Sequence, residues 1–247
     1  MSDVPHIDDL LKEWPYEADS LNVRMAKGAD GREIIQMRID MGLLQLEITG
    51  RPDGTQPHGT ETYQDHLLEE SLQNHADWML SESQCGEVDR EFVQYYHRRM
   101  CWLKLRQYHN AVRDADHTLG LMDFCNRYSP DERWTQSHEQ YRPFVMFHRV
   151  HATALAALED DGAEVAVQEI NTGLRQLKQE IFDEVDQEDF EEDELIQRLI
   201  ELRETLRQQY EVGRTLEERL DDAIASEQYE LAAELRDALA QRGANVL

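Results

Sequence analysis

The 247-residue sequence has few cysteines and no long apolar run, and each of these features excludes a class of protein. No run of about 18 apolar residues occurs, so we expect no membrane-spanning helix. The N-terminus lacks the basic and apolar regions of a secretory signal. The three cysteines, Cys85, Cys101 and Cys125, are odd in number and form no CxxC pair. We therefore expect reduced thiols in a cytoplasmic protein, without disulfides or a cysteine zinc site.

Basic residues are also scarce, since 25 of them face 52 acidic residues and leave a net charge of −27. This balance argues against direct nucleic-acid binding through a phosphate-neutralising surface. Ten of the fifteen residues in 180–194 are acidic. Such a block repels itself, and we interpret it as a solvated linker. The open alternatives are the first turns of a helix whose dipole tolerates acids, and a mimic of DNA phosphates.

Residues 20–50 alternate apolar and polar side chains in three runs that are separated by turn signals at 29–31 and 40–42. This period of two predicts a three-stranded antiparallel meander with one apolar face. Such a sheet must pack on a helix, for which residues 8–14 and the helix near Thr60 are the candidates. The opposite, polar face is expected to carry Gln36, Arg38, Gln45, Glu47 and Thr49.

From residue 60 onward, helical periodicity dominates. Helices are predicted near 60–80, 88–106, 108–127, 132–158, 162–182, 190–212, 215–225 and 228–242. The fold class is thus mostly α with a small N-terminal β-meander, an α+β chain. The predicted regions are a β-meander at 1–60, a helical domain at 61–182, an acidic linker at 183–194, a connecting helix at 195–213 and a hairpin at 214–247.

The segment from Phe92 to Asp123 places aromatic and small residues at the spacing of one tetratricopeptide unit. These residues are Tyr95, Trp102, Tyr108, Ala111, Val112, Leu119 and Leu121. The segment resembles that family, although Arg99, Thr118 and Asp123 depart from its pattern. A weaker second unit lies around Ala166, 55 residues after Ala111, whereas the usual period is about 34. We predict a tetratricopeptide-like array of helical hairpins over 92–178, with an ordinary helical bundle as the alternative.

The C-terminal segment predicts a two-helix hairpin. Thr215 and Glu218 form the pattern of a capping box, and Ser226 can cap a second helix. The two apolar stripes predict a seam between the helices made of Leu220, Ile224, Leu231 and Leu235. A hairpin of about 28 residues has too small a core to be stable alone, so it must dock on a partner, on a second copy or on the preceding helix.

This hairpin closely resembles the UVR motif, the interaction hairpin of the UvrB and UvrC type. Residues 227–237 match the pattern E-x-[FY]-E-x-A-A-x-x-R-D. The resemblance implies protein–protein contact in a bacterial-type cytosol. The motif joins excision-repair subunits and occurs in Clp-type chaperone ATPases and in zinc-containing activators of protein-arginine kinases. The expected partner carries a like hairpin and is either a second copy, giving a homodimer, or a repair or chaperone subunit. The expected partner-binding residues are Leu216, Leu220, Ile224, Tyr229, Glu230, Ala233, Arg236 and Asp237.

Two further features, a leucine stripe and a cluster of basic and aromatic residues, allow more than one interpretation. Leucines at 195, 199, 202 and 206 follow a coiled-coil spacing and indicate either a bundle helix or a short dimer seam. A basic and aromatic cluster contains Tyr95, Arg98, Arg99, Trp102, Lys104 and Arg106. We expect this cluster to pair with the acidic block or with an acidic peptide rather than with nucleic acid.

Residues with catalytic or metal-binding spacing are scarce. His148 and His151 share a helical face, but no HExxH motif accompanies them, so we assign no metal ligand. Phosphate-binding loops and a GxSxG motif are absent, and Cys85, placed in a loop, has no base beside it. We expect no cofactor, no catalytic residue and a non-enzymatic adaptor. The alternative is an enzyme with an unrecognised active site in the N-terminal β-meander and helical region.

Overall fold

The computed structural model describes residues 7–74, 77–182 and 187–244, without the side chains of residues 188 and 241–244. The chain divides into two compact units, Met1–Ala152 and Thr153–Leu247. No helix in the described residues is long and apolar enough to cross a lipid bilayer.

The first unit begins with helix α1 (Asp8–Glu13) and an antiparallel sheet of β1 (Asn22–Lys27), β2 (Glu33–Ile39) and β3 (Gly42–Glu47). The strands pair in the order β1-β2-β3, and Ile35 lies opposite Met25 and Leu46. Side chains on paired positions share a face, so these three residues lie on one side. The predicted N-terminal meander is confirmed.

Helices α2 (Tyr63–Gln73), α3 (Glu82–Lys104), α4 (Tyr108–Tyr128), α5 (Glu132–Glu139) and α6 (Arg142–Asp160) follow the sheet. The apolar face of the sheet packs on Trp102 of α3 and on Ala111 of α4. The apolar face therefore packs on neither candidate helix: residues 8–14 contact the opposite face through Trp14, and the expectation for the helix near Thr60 was wrong. The reason for α2 is that its buried face, at Tyr63 and Leu67, belongs to a separate core with Phe92.

Part of the polar face of the sheet is also covered, whereas Gln45 on the same face is exposed. Arg38 is only 8% exposed, and its guanidinium donates to the carbonyl oxygens of Trp14 at 3.1 Å and Gly42 at 2.8 Å. The guanidinium of Arg24 lies 4.3 Å from the centroid of the Trp14 ring. The segment that follows α1 thus lies over this face, because carbonyl oxygens and an aromatic ring provide partners for the two cations.

Several helix limits differ from the prediction. Helix α3 begins six residues earlier than expected, because Ser81 and Gln84 form a capping box in front of it. Cys85 therefore lies in a helix rather than in a loop, and all three thiols are buried. The predicted helix 132–158 is divided into α5 and α6 at residues 140–141.

The second unit contains the end of α6, α7 (Ala163–Glu180), α8 (Gln187–Glu192), α9 (Glu194–Tyr210), α10 (Leu216–Ala225) and α11 (Tyr229–Ala244). Helix α9 packs on α7, with Leu199 and Leu206 buried. This part of the leucine stripe is thus used within the chain, as the bundle interpretation requires, and a seam between two copies stays a prediction.

The acidic block lies partly outside the described residues, at 183–186. Its remainder is largely helical, since α8 is followed by α9, whose N-terminal N–H groups at Leu195 and Ile196 donate to the side chain of Asp193. A carboxylate at a helix N-terminus is favourable, so this end of the block behaves as the helix-start alternative describes. The predicted limits of the linker and of the other regions stay predictions.

Candidate protein-interaction site

The C-terminal hairpin begins at the predicted residue. The Thr215 hydroxyl accepts from the backbone N–H of Glu218 at 3.3 Å, and the Glu218 carboxylate accepts from the backbone N–H of Thr215 at 2.8 Å. The two side chains satisfy N–H groups that a helix end would otherwise leave unpaired. Helix α10 consequently starts at Leu216.

The turn between α10 and α11 is closed by backbone hydrogen bonds. The N–H of Ser226 donates to Asp222 at 2.9 Å, and the N–H of Gln228 donates to Ala223 at 2.8 Å. Glu227 takes a left-handed conformation with a φ of 55°, which reverses the chain. Ser226 is therefore the C-cap of α10, and its predicted role as the cap of the second helix was wrong.

The seam of the hairpin is built around smaller side chains than predicted. Ala223 and Leu235 are buried, whereas Ile224 is 54% and Leu231 is 38% exposed. The predicted positions of Ile224 and Leu231 in the seam were therefore wrong. Neighbouring helical residues point about 100° apart, so a seam centred on Ala223 turns Ile224 outward. The small alanine allows the two helices to approach closely.

The first turn of α10 is held against α7 and α9 by ion pairs. Glu217 accepts from Arg175 at 2.6 Å and from Gln168 at 3.4 Å, and Glu218 pairs with Arg207. Partial burial raises the pKa of Glu218, but hydrogen bonds from Thr215 and Arg207 outweigh it and hold that pKa below its usual value. The hairpin thus docks on its own preceding helices.

A cavity of about 280 Å³ lies beside this contact, between α7, α8, α9 and α10. Its wall includes Lys178, which lies 5.1 Å from the centroid of the Phe190 ring, and Arg203, which donates to Asn171 at 3.0 Å. No pattern in the sequence predicts this cavity, because its residues come from four separate helices.

The expected partner-binding residues divide into an exposed and a docked group. Tyr229 is 70% exposed, and it lies across the turn from the exposed Ile224. Glu230, Arg236 and Asp237 are also exposed. The partly buried residues are Leu216, Leu220 and Ala233. The structure therefore presents one surface, the hairpin tip, which we define as Ile224 and Tyr229 with the outer face of α11.

Residues 212–241 match the family model for the UvrB/uvrC motif. The C-terminal hairpin is a UVR motif. The match contains the hairpin turn and α10, and it ends within α11. Searches among curated proteins and among solved structures returned no match. The UVR motif points to protein–protein contact in general, while the tetratricopeptide resemblance of α3 and α4 stays unconfirmed.

Most of the basic and aromatic cluster is buried, although Lys104 and Arg106 are exposed. The expected pairing with the acidic block was wrong for Arg98 and Arg99, whose hydrogen-bond partners lie within the first unit, and it stays a prediction for the other two cations. Arg98 is 1% exposed and forms a bidentate pair with Asp114, at 2.7 and 2.9 Å. It also donates to the carbonyl oxygens of Glu47 and Gly50. Arg99 is equally buried and donates to the hydroxyl of Thr118 at 2.9 Å.

His148 lies in the interior near Arg99, and the partly buried His151 follows it one turn later on α6. Burial, with the nearby Arg99 and His151, lowers the pKa of His148 to about 3. Burial also lowers the pKa of His151, and it lowers the pKa of Arg99 to about 10. Across the described side chains, no group of three His, Cys, Asp or Glu residues could hold a metal ion.

The first unit also has a histidine-lined pocket, next to the start of α2. The rings of His58 and His66 are stacked 3.9 Å apart, and His66 lies 3.5 Å from Glu70. The Glu70 carboxylate accepts from the side-chain amide nitrogen of Gln84. The side-chain amide oxygen of Gln84 accepts from the backbone N–H of Ser81, just before α3. These groups are engaged with one another at helix ends, so the enzymatic alternative stays a prediction without a specific observation in its favour.

Proposed function

We propose that this protein is a non-enzymatic adaptor that docks on another protein through the hairpin tip. The observation that carries the proposal is the 70% exposure of Tyr229 within a segment that matches the UVR motif. Exposed apolar side chains on both sides of one turn, here Ile224 and Tyr229, favour an interaction surface.

The internal docking of α10 prepares this tip for binding. The pairs of Glu217 with Arg175 and of Glu218 with Arg207 fix the first helix of the hairpin on α7 and α9. A hairpin that is already held in place loses less conformational freedom on binding than a free one. The partner is then contacted by Tyr229 as the apolar anchor, with Arg236 and Asp237 at the rim, where charges set orientation more than affinity.

The partner that best fits a UVR motif is a protein that carries a like hairpin. This class includes a second copy of the chain, a bacterial excision-repair subunit and a Clp-type chaperone ATPase. The proposed location is the cytoplasm, where proteins of these classes act.

A binding panel tests the proposal. The purified full-length protein is titrated against excision-repair subunits and a Clp-type ATPase that carry UVR hairpins, by isothermal titration calorimetry. We expect at least one of them to bind and to lose affinity when Tyr229→Ala replaces the parent chain. Absence of binding to every member, together with absence of self-association, would contradict the proposal.

A further inference from the structure

One side of α11 carries acidic side chains only, while the exposed Arg236 lies on another side of the helix. Glu230, Glu234 and Asp237 follow the spacing i, i+4 and i+7, so they lie along one side of the helix. All three are exposed, and Leu235 faces the opposite way, into the hairpin seam. The exposed Tyr229 lies at the N-terminal end of the same helix.

The carboxylates of α10 and α11 differ in how they are paired. On α10, three of the four carboxylates, Glu217, Glu218 and Asp222, pair with an arginine. On α11, no cation among the described side chains pairs with Glu230 or Glu234, and Asp237 lies 3.7 Å from Arg236. The described part of α11 therefore presents three carboxylates and one guanidinium, with little compensation from the chain itself.

We propose that the hairpin tip binds a partner whose apolar socket for Tyr229 is rimmed by lysine or arginine side chains, and that charge prevents a second copy from binding there. This inference rests on the proposed function and selects among its partners. Apposing two tips would place two uncompensated carboxylate rows near each other, within chains that each carry a net charge of −27. Like charges across an interface suppress association, and unlike charges accelerate it.

A charge-reversed copy of this chain serves as the probe for a basic partner surface. The full-length variant Glu230→Lys/Glu234→Lys/Asp237→Lys is mixed with the parent, and association is followed by sedimentation velocity. We expect the mixture to associate at about 0.01 M ionic strength, roughly tenfold or more tightly than either protein alone. The association should weaken at about 1 M salt, where the Debye length falls to about 3 Å.

Two further variants keep the result interpretable. Glu69→Lys/Glu159→Lys/Glu201→Lys changes the net charge equally at exposed acids outside the hairpin, and its mixture with the parent should not associate. The neutral variant Glu230→Gln/Glu234→Gln/Asp237→Asn should self-associate more tightly than the parent, even if the lysine variant folds poorly. Adding Tyr229→Ala to both chains of the associating mixture should abolish the association.

Three outcomes would overturn the inference. A parent chain that self-associates as tightly as the mixture would show that charge does not prevent a second copy from binding; if Tyr229→Ala abolished that contact, the proposed docking function would survive. A mixture that fails to associate at low salt would refute the role of the α11 charges. Equal association with the outside-hairpin variant would assign the effect to net charge alone.

Discussion

The buried pair of Arg98 and Asp114 allows a prediction for the first unit that a surface pair would not. Asp114 is the only carboxylate that the described residues place against Arg98, and it accepts two hydrogen bonds from it. In Asp114→Ala, the guanidinium would stay in the interior with the carbonyl oxygens of Glu47 and Gly50 as its remaining acceptors. These neutral groups cannot offset the positive charge.

The expected loss follows from the burial of both partners. Removing one member of a buried pair costs about 3–5 kcal/mol, because the other charge is left without compensation. That is a large fraction of the roughly 5–15 kcal/mol that a folded domain has in total. Asp116→Ala is the matched control on the same helix, since Asp116 pairs with Arg149 at the half-exposed surface, where a pair contributes about 1 kcal/mol or less.

Urea unfolding followed by tryptophan fluorescence measures both variants. The four tryptophans, Trp14, Trp78, Trp102 and Trp134, all lie in the first unit, so the signal reports on that unit alone. We also expect Arg98→Leu/Asp114→Leu to be more stable than Asp114→Ala, because it removes both charges of the pair and leaves neither one uncompensated. A loss of under 1 kcal/mol for Asp114→Ala, or equal losses in Asp114→Ala and Asp116→Ala, would refute the reasoning.

Two more perturbations have directions that the structure determines. The folded-state pKa of His148, about 3, lies below the ordinary value near 6.5. Neutral His148 therefore contributes fully to the free energy of unfolding above pH 6.5. This contribution is lost as the pH falls toward 3, by up to about 1.4 kcal/mol per pH unit. His148→Leu should therefore reduce the slope of the free energy of unfolding of the first unit against pH, between pH 4 and about 6, by the equivalent of roughly one proton. An unchanged slope would count against a buried neutral imidazole. Arg207→Ala removes the partner of Glu218 and should lower the amide-exchange protection of α10 by about 1 kcal/mol, while α3 keeps its protection. Unchanged exchange in α10 would argue against docking through Glu218.

Local signals predicted much of this fold. The alternation in β1–β3 and the capping box at Thr215 depend on residues a few positions apart, and the structure has both. The UVR resemblance is likewise a local pattern, and the family model confirms it.

Features that depend on distant partners were missed. Arg98 was expected to pair with the acidic block or with an acidic peptide, yet its partners lie 16 to 51 residues away along the chain and bury it. The cover over Arg38 likewise comes from Trp14, 24 residues earlier. In the hairpin, hydrophobicity favours Ile224 for the seam, whereas close packing of two helices favours the smaller Ala223. Because Ala223 occupies the seam, Ile224 lies at the exposed tip.

The most direct test of docking through the hairpin tip is the ratio of the dissociation constants of Tyr229→Ala and the parent chain for one UVR-bearing partner. Tyr210→Ala serves as the control, because Tyr210 is also an exposed tyrosine, at 48%, but lies at the end of α9. Loss of an interface anchor of about 1–4 kcal/mol predicts a ratio of roughly 5 to 1,000 for Tyr229→Ala and near one for Tyr210→Ala. Equal affinities of the parent and Tyr229→Ala for every partner that binds would contradict docking through this tip.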